Sequence, residues 1–373
     1  MIRTVRPLAA AALAALAAGA LPLAAQDLEA ERSKVLTTIG EAREVSIPLF
    51  PLAEGLGVVF RHQVDQPGAL GLRLHFEVER AGEAWGVQVL GADGRVAWST
   101  WAGEAPAGRF WSGEIPGARA TVEVHSSMPA NPLRLTIDRV AVRTDPVTPV
   151  SIFGANQLAP IGAQDDWIVQ LGRSVARLRF IGDGGSMFVC TAFLVTPDLM
   201  LTNQHCIATQ SELESALVDF DFDSDAEPPG SVLGLGELIA SDFDLDYSLV
   251  RLERCVGRQP LRLATARPAD QRGLVIIEHP AGEPKQVSIL DCAVNGAVVA
   301  GRGGGATDFG HSCDTLGGSS GSPVLDFDDR TVVGLHHLGI APGSGQPFNR
   351  AVHVDLVLAD LEPAVRAEIE NGQ

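Results

Sequence analysis

Short runs of alternating apolar and polar residues, each closed by a turn signal, recur along most of this chain and direct it to β-structure. Leu70-Gly71-Leu72-Arg73-Leu74-His75-Phe76, Trp85-Gly86-Val87-Gln88-Val89-Leu90 and Ala120-Thr121-Val122-Glu123-Val124 are of this kind. Gly91-Ala92-Asp93-Gly94 and Pro106 to Gly108 supply turns between them. Forty Gly and 23 Pro among 373 residues favour short strands over long helices. Leu133 to Val140 closes this first set, which predicts a small antiparallel β-sandwich over residues 26–145. Its leading residues, 26–45, are charged and read as helical or loose. Trp85, Trp98, Trp101 and Trp111 could line a sugar- or peptide-binding face, although core or edge packing is the commoner use of such rings.

Residues 146–164, with Pro146, Pro149, Gly154, Pro160 and Gly162, read as a linker. A second all-β domain is expected over 165–373. Val175 to Phe180, Phe188 to Val195 and Met200 to Thr202 are its first strands. Val354, Leu356, Leu358, Leu361 and Val365 have helical spacing and predict one C-terminal helix up to Ile369. At 46% hydrophobic residues, the chain can build sizeable cores. Residues 1–25 have the pattern of a secretory signal peptide: Arg3 and Arg6, an apolar run from Leu8 to Leu23, then Ala24-Ala25. A net charge of −18 argues against nucleic acid or an anionic membrane as partner. No later stretch is long and apolar enough for a membrane anchor. A secreted or periplasmic monomer is expected.

Three stretches carry chemistry. Thr315-Leu316-Gly317-Gly318-Ser319-Ser320-Gly321-Ser322-Pro323-Val324 puts serines on a glycine-rich loop before an apolar strand. Serine needs a base to become a nucleophile. Flanking glycines let main-chain N–H groups converge on one point, which is how an oxyanion hole is built. Leu201-Thr202-Asn203-Gln204-His205-Cys206 supplies an imidazole, which titrates near neutrality. Asp246-Tyr247-Ser248-Leu249-Val250-Arg251-Leu252 supplies a carboxylate at the head of a strand, with Asp242 and Asp244 as rivals.

In the order His, Asp, Ser these stretches resemble the chymotrypsin-like serine peptidases. The Gly-x-Ser-Gly-Ser-Pro form is similar to the bacterial V8-like, or glutamyl-endopeptidase, branch. Ile277-Glu278-His279-Pro280-Ala281-Gly282-Glu283-Pro284-Lys285 also looks like a segment of that branch, with His279 structural. The resemblance covers roughly half the chain, residues 165–365. It implies an all-β, chymotrypsin-like double β-barrel with a C-terminal helix, preceded by the small β-sandwich. That first module looks like the one found in some lysyl-endopeptidase-like proteins, on Gly71 to Phe76 and Gly108-Arg109-Phe110-Trp111-Ser112.

Carried over residue by residue, the resemblance makes Ser320 the nucleophile over Ser319 and Ser322, His205 the general base and Asp246 the orienting carboxylate. The N–H groups of Gly318 and Ser320 would form the oxyanion hole. Asn203-Gln204 stands where the family usually has two small residues. Cys190 and Cys206, spaced as in the family, would pin the histidine loop. Cys292 and Cys313 are the second expected pair, leaving Cys255 free and buried or the second pairing wrong. The implied S1 pocket is ambiguous. Thr315 and His336 stand where a P1 carboxylate would be held, whereas Asp314 stands where a P1 cation would be. The balance is towards acidic P1. Ser319 stands where trypsin keeps the Asp that pairs with its new N-terminus, so that switch is not expected.

Asp219, Asp221, Asp223 and Asp225 alternate in a way that suggests Ca²⁺, but without the glycine and glutamate of an EF-hand; a solvated loop is the expectation. No zinc pattern is present and no cofactor is implied. The readings are then a secreted serine endopeptidase acting on protein or peptide substrates, a pseudoprotease serving as a binding or adhesion module, and an esterase using the same triad.

Overall fold

The computed structural model describes residues 36–49, 56–80, 84–103, 108–128, 133–147, 150–152, 154–226, 231–340 and 348–372. The expected signal peptide lies outside them. The chain is mostly strand. Its N-terminal part contributes β1 (Thr37–Pro48), β2 (Gly57–Asp65), β3 (Gly71–Arg80), β4 (Trp85–Leu90), β5 (Val96–Trp101), β6 (Arg109–Trp111), β7 (Ile115–Pro116), β8 (Arg119–Ser126) and β9 (Arg134–Val147). One layer runs β2-β8-β4-β5 and the facing one β1-β9-β3-β6, with β7 also on β3. The alternation read from sequence places Leu72, Leu74, Phe76, Val87, Val89, Val122, Val124, Leu135 and Ile137 between the layers. Trp85 is buried in this core and Trp98 stacks on Phe76 at 5.9 Å, while Trp101 is exposed. The four tryptophans therefore form no single face.

Two short strands follow, β10 (Val150–Ser151) and β11 (Ala159–Pro160), then helix α1 (Asp166–Gly172). The stretch read as a linker is thus tied down by main-chain pairing, as set out below.

The first ring uses β12 (Val175–Ile181), β13 (Ser186–Leu194), β14 (Leu199–Thr202), helix α2 (Gln210–Ser215), β15 (Leu217–Phe220), β16 (Ser231–Leu233), β17 (Leu235–Asp242) and β18 (Tyr247–Leu252). Pairing runs β15-β12-β13-β14-β18-β17. At the other end β16 pairs with β15 and is separated from β17 along the chain by Gly234 alone. Phe180, Phe188, Cys190, Met200, Val218, Phe220 and Val250 fill it.

The second ring uses β19 (Leu274–Glu278), β20 (Gln286–Ser288), β21 (Asp308–His311), β22 (Thr315–Leu316), β23 (Pro323–Asp326), β24 (Val332–Leu338) and β25 (Asn349–His353). Pairing runs β20-β19-β23-β24-β25-β21, with β11 outside β20. Bridges Val294↔His311 and Gly273↔Ala293 bring the circuit back to β19. Val175, Phe193, Leu201, Leu249, Ile277, Leu325 and Leu335 pack where the two rings meet. The C-terminal segment seals this core as two helices, α3 (Val354–Asp360) and α4 (Pro363–Gly372), where the sequence pattern predicted one. Pro363 is the reason: it disfavours helical backbone at the residue before it and starts a new helix at its own first position.

One joint was not foreseen. Residues 37–45, read as helical or loose, belong to β1, which pairs with β9 of the module on one side and with β13 of the first ring on the other. Thr37, Thr38, Gly40 and Glu41 face Val189, Phe188, Met187 and Ser186. A Cβ on Gly40 would lie 2.1 Å from the Val142 carbonyl oxygen, so only glycine fits between the two neighbours. Ile39, Ala141, Ile181, Met187 and Val189 form an apolar seam there. Ion pairs flank it: Glu114 meets Arg143 and Arg179, and the fully buried Asp219 takes Arg177 and Arg179. Arg73 reaches across to the Ser215 carbonyl at 2.6 Å. A cavity of about 1100 Å³ runs along this seam between Trp98, Trp111, Arg73, Arg177 and Phe222; none of the residues of the expected triad lines it.

Candidate active site

The site lies where the two rings meet. Cys190 in β13 is bonded to Cys206, which fixes the loop after β14 that carries His205. A capping box at the start of α2 holds the far side of that loop: Thr209 accepts from Glu212 N–H, and Glu212 returns a carboxylate oxygen to Thr209 N–H. His205 is buried, with 4% of its surface exposed. Its Nδ1–H donates to Asp246 Oδ2 at 2.8 Å and its main-chain N–H to Asp246 Oδ1 at 3.0 Å.

Asp246 stands at the mouth of β18 with φ 47°, in the left-handed region that Asp tolerates. Its carbonyl accepts from Asn203 Nδ2 at 2.9 Å. The rivals are otherwise engaged. Asp242 Oδ1 accepts the Leu245 N–H at 2.7 Å, and Asp244 packs against Gly303. Two further donors complete the Asp246 carboxylate: Arg302 Nη1 on Oδ1 at 2.9 Å and His337 Nδ1 on Oδ2 at 3.1 Å. Burial pushes this carboxyl up, but His205 and then His337 outweigh burial and hold it well below the usual range.

Ser320 is buried on the loop between β22 and β23. Its carbonyl accepts the Thr191 N–H at 2.8 Å, and the next N–H, of Gly321, donates to the His336 carbonyl at 2.8 Å. Gly318 and Gly321 take φ 99° and 87°. A Cβ at Gly321 would fall 2.0 Å from the Thr191 carbonyl, and one at Gly318 would fall 2.7 Å from the His279 carbonyl. The second disulfide, Cys292–Cys313, ties the approach to this loop. Cys255 is unpaired and exposed, where burial was expected if it were free. His205 Nε2 is buried and has no hydrogen-bond partner, so its bond to Ser320 is not made in this state. Catalytic hydrogen bonds are often long in unliganded sites and tighten in the complex.

His279 supports the loop from below. Its N–H donates to Thr191 Oγ1 at 3.0 Å, its ring meets the Glu283 carbonyl at 3.0 Å, and it stacks on Phe222. Beside it Glu278 is completely buried near Ser319. Burial pushes its carboxyl well above the usual range.

The expected pocket walls are β22 and the end of β24. Asp314 is buried and does not face the slot unpaired: its Oδ2 accepts the Gln157 N–H at 2.9 Å. Thr315 Oγ1 accepts from Asn349 Nδ2 at 3.1 Å. His336 Nδ1 lies 3.1 Å from His311 Nε2, and the two rings share one hydrogen bond. Burial lowers both imidazoles, His311 to about 3. Between the walls lies β10. Val150 and Ser151 pair with Leu316 and Thr315. Ser151 gives its carbonyl to Asn349 Nδ2, and its Oγ is 2.2 Å from where a Cβ on Gly339 would stand. The acidic stretch is met by bases: Asp219 by Arg177 and Arg179, Asp221 by Arg258, Asp223 by the buried Lys285.

Arg302, His337, Asp308, His311, Asn349 and Glu278 were not singled out from sequence. Only the double histidine within β24 gave any signal; the others reach the site from separate strands and loops.

The sequence profile of the trypsin-like peptidase domain matches residues 190–335. Among curated proteins, the secreted RxLR effector protein 73 of Plasmopara viticola is 33% identical over 186 residues, 46% of each chain. The uncharacterized protein y4fB of Sinorhizobium fredii is 31% identical over 196 residues, 45% of this chain and 28% of that one. The chain thus spans less than half the length of the curated relatives it matches. Solved structures superpose loosely. The Rv3671c protease of M. tuberculosis in its active form gives a TM-score of 0.41 at 15% identity, over 56% of this chain and 91% of that one. A serine endoprotease from Yersinia pestis gives 0.41 at 14%, over 55% and 66%. The histidine, aspartate and serine stretches all lie inside residues 190–335, the part of the chain that is similar to the trypsin-like peptidase domain.

Proposed function

We propose that the protein is an exported serine endopeptidase of V8-like type, cutting after acidic residues. The observation that carries the peptidase reading is the Asp246–His205 pair: a buried carboxylate, low in pKa, holds Nδ1 and the main chain of an imidazole whose other nitrogen is free. In that tautomer Nε2 accepts the Ser320 proton as Oγ attacks the peptide carbonyl. The imidazolium, stabilised by Asp246, then protonates the leaving amine. The N–H groups of Gly318 and Ser320 would receive the oxyanion; losing one such donor typically costs about 3 kcal/mol of transition-state stabilisation. Water on His205 then releases the acyl group.

Acidic P1 is favoured by the pair His336–His311. Two buried, neutral imidazoles can take up a proton when a carboxylate enters beside them. The competing basic P1 through Asp314 is weakened because the Gln157 N–H already occupies that carboxylate. In this state Ser151 fills the slot, so β10 must leave before a substrate side chain enters. The paired disulfides fit an oxidising compartment, and no helix among the described residues is long and apolar enough to cross a membrane.

The test is a digest of an unfolded protein mixture by the full chain and by a form nicked between 152 and 157, each beside its Ser320→Ala variant, with new termini mapped by mass spectrometry. Cuts after Glu or Asp that vanish in the variant support the proposal. Cuts after Lys or Arg keep the triad but give the pocket to Asp314. If no form cuts protein but an ester is hydrolysed, the esterase reading takes over. No turnover of either leaves a binding module.

A further inference from the structure

The donors on Asp246 exceed what orienting His205 requires, and the second histidine among them is flanked on both nitrogens. His337 Nδ1 lies 3.1 Å from Asp246 Oδ2, and its Nε2 lies 2.7 Å from Asp308 Oδ2. A neutral imidazole has one N–H and one lone pair. Between two carboxylates the lone pair would face an oxygen with no proton to give. Both nitrogens must therefore donate, which makes the ring a cation. Asp308 is itself held, with Thr307 Oγ1 donating to its other oxygen at 2.9 Å.

We propose that His337, clamped by Asp308, is a positioning residue of the triad: a cationic link that fixes the Asp246 carboxylate for His205 and sets the pH at which His205 can serve as base. The inference rests on the peptidase reading for its kinetic consequence, not for its geometry.

The groups around the link are all in view. Asp246 faces it from the loop before β18 and Asp308 from β21. The rings of His336 on its own strand and His311 on β21 lie close enough to be affected by its charge. Arg302 lies on the far oxygen of Asp246. Burial lowers His337, but the bonds to Asp246 and then Asp308 raise it further, to about 9. The Asp308–His337–Asp246–His205 row therefore alternates in sign once His205 accepts the Ser320 proton. A cation on Asp246 draws off part of the field that would otherwise favour charge on His205. It lets the base remain unprotonated, and so competent, to lower pH. The cation also replaces rotational freedom of the Asp246 side chain with a second fixed donor.

Two measurements test this. The first follows imidazole nitrogens by NMR from pH 5 to 10 in the Ser320→Ala protein, where turnover plays no part. The His337 ring should be doubly protonated at pH 7 and titrate near 9. Adding His337→Gln, which keeps one donor for Asp246 but no charge, should move the His205 titration up by roughly one pH unit. The second compares pH–rate profiles in the active chain. With His337→Gln the acid limb of kcat/KM should rise by about the same amount and kcat should fall about tenfold, with KM changed less than twofold. Asp308→Asn should move the limb in the same direction, by less.

A His337 ring that is neutral at pH 7 overturns the proposal. So does an acid limb that stays in place while activity falls only in proportion to the sites labelled by a serine-directed phosphonate. If His337→Gln does not fold, the titration of His337 in Ser320→Ala decides alone. If the unsubstituted chain turns over nothing, the peptidase reading fails, and the NMR arm still tests the link.

Discussion

His279, His311 and His336 are buried as neutral rings, and His337 is buried as a cation. They make opposite demands on pH. Burial lowers the first three, so below about pH 6.5 the unfolded chain binds protons that the folded chain does not, and stability falls with falling pH. His337 is raised to about 9, so its contribution is complete below pH 6.5 and is lost as pH rises through 9. Unfolding midpoints of the Ser320→Ala protein should therefore peak near pH 6.5 and fall on either side, towards pH 5 and towards pH 9. Each lowered ring should add to the loss of stability as pH falls below about 6.5. A melting temperature equal at about pH 5 and 6.5 would contradict this. A neutral amide carries a comparable burden: Asn349 Nδ2 donates to the Ser151 and Cys313 carbonyls and to Thr315 Oγ1. Asn349→Leu should destabilise by about 2–4 kcal/mol in urea melts, because those acceptors stay buried without a partner. The triad stretches were legible because each motif is local in sequence. Arg302, Asp308 and His337 were not, because what joins them is one carboxylate that only folding brings to all three.

At the level of elements, the alternating strands of the module and the apolar strands of the first ring could be read directly from their periodicity. β1 could not. Glu41, Arg43 and Glu44 interrupt the apolar series Ile39, Val45 and Ile47, so no continuous apolar stripe marks it, and main-chain pairing on both edges carries much of its stability. The C-terminal break was readable in principle from Pro363, but the spacing of Val354 to Val365 spans it. The joint depends on one small residue. Gly40→Val would drive a side chain into the Val142 carbonyl, 2.1 Å from its Cβ. It should cost about 3 kcal/mol or more and open the seam to limited proteolysis near residues 37–48 before either ring unfolds. Simultaneous global loss by hydrogen exchange would show instead that module and rings are one cooperative unit.

For the molecule as a whole, the segment joining the two parts of the chain is also the segment that lies along β22, a wall of the proposed substrate slot. β10 pairs with β22, and Gln157 holds Asp314. A nick between residues 152 and 157 should raise kcat/KM on small substrates at least tenfold, because β10 then competes with substrate without being anchored on both sides. Equal rates before and after nicking would mean that the slot is open in solution. After the nick the halves should still co-elute on gel filtration, since the β1–β13 pairing and the buried ion pairs do not depend on the link.

That shared strand also sets an order of events as the chain emerges, N-terminus first, into the compartment where it folds. Residues 37–147 arrive before Ser186–Val189 of β13, so the module can present a finished β1 edge to a strand that arrives later. The first ring is then laid down on an existing template, not nucleated alone, and its β13 edge is never left bare to pair with a neighbouring chain. A peptidase domain made without residues 37–147 would have to fold with that edge exposed, even if every residue of its triad were in place.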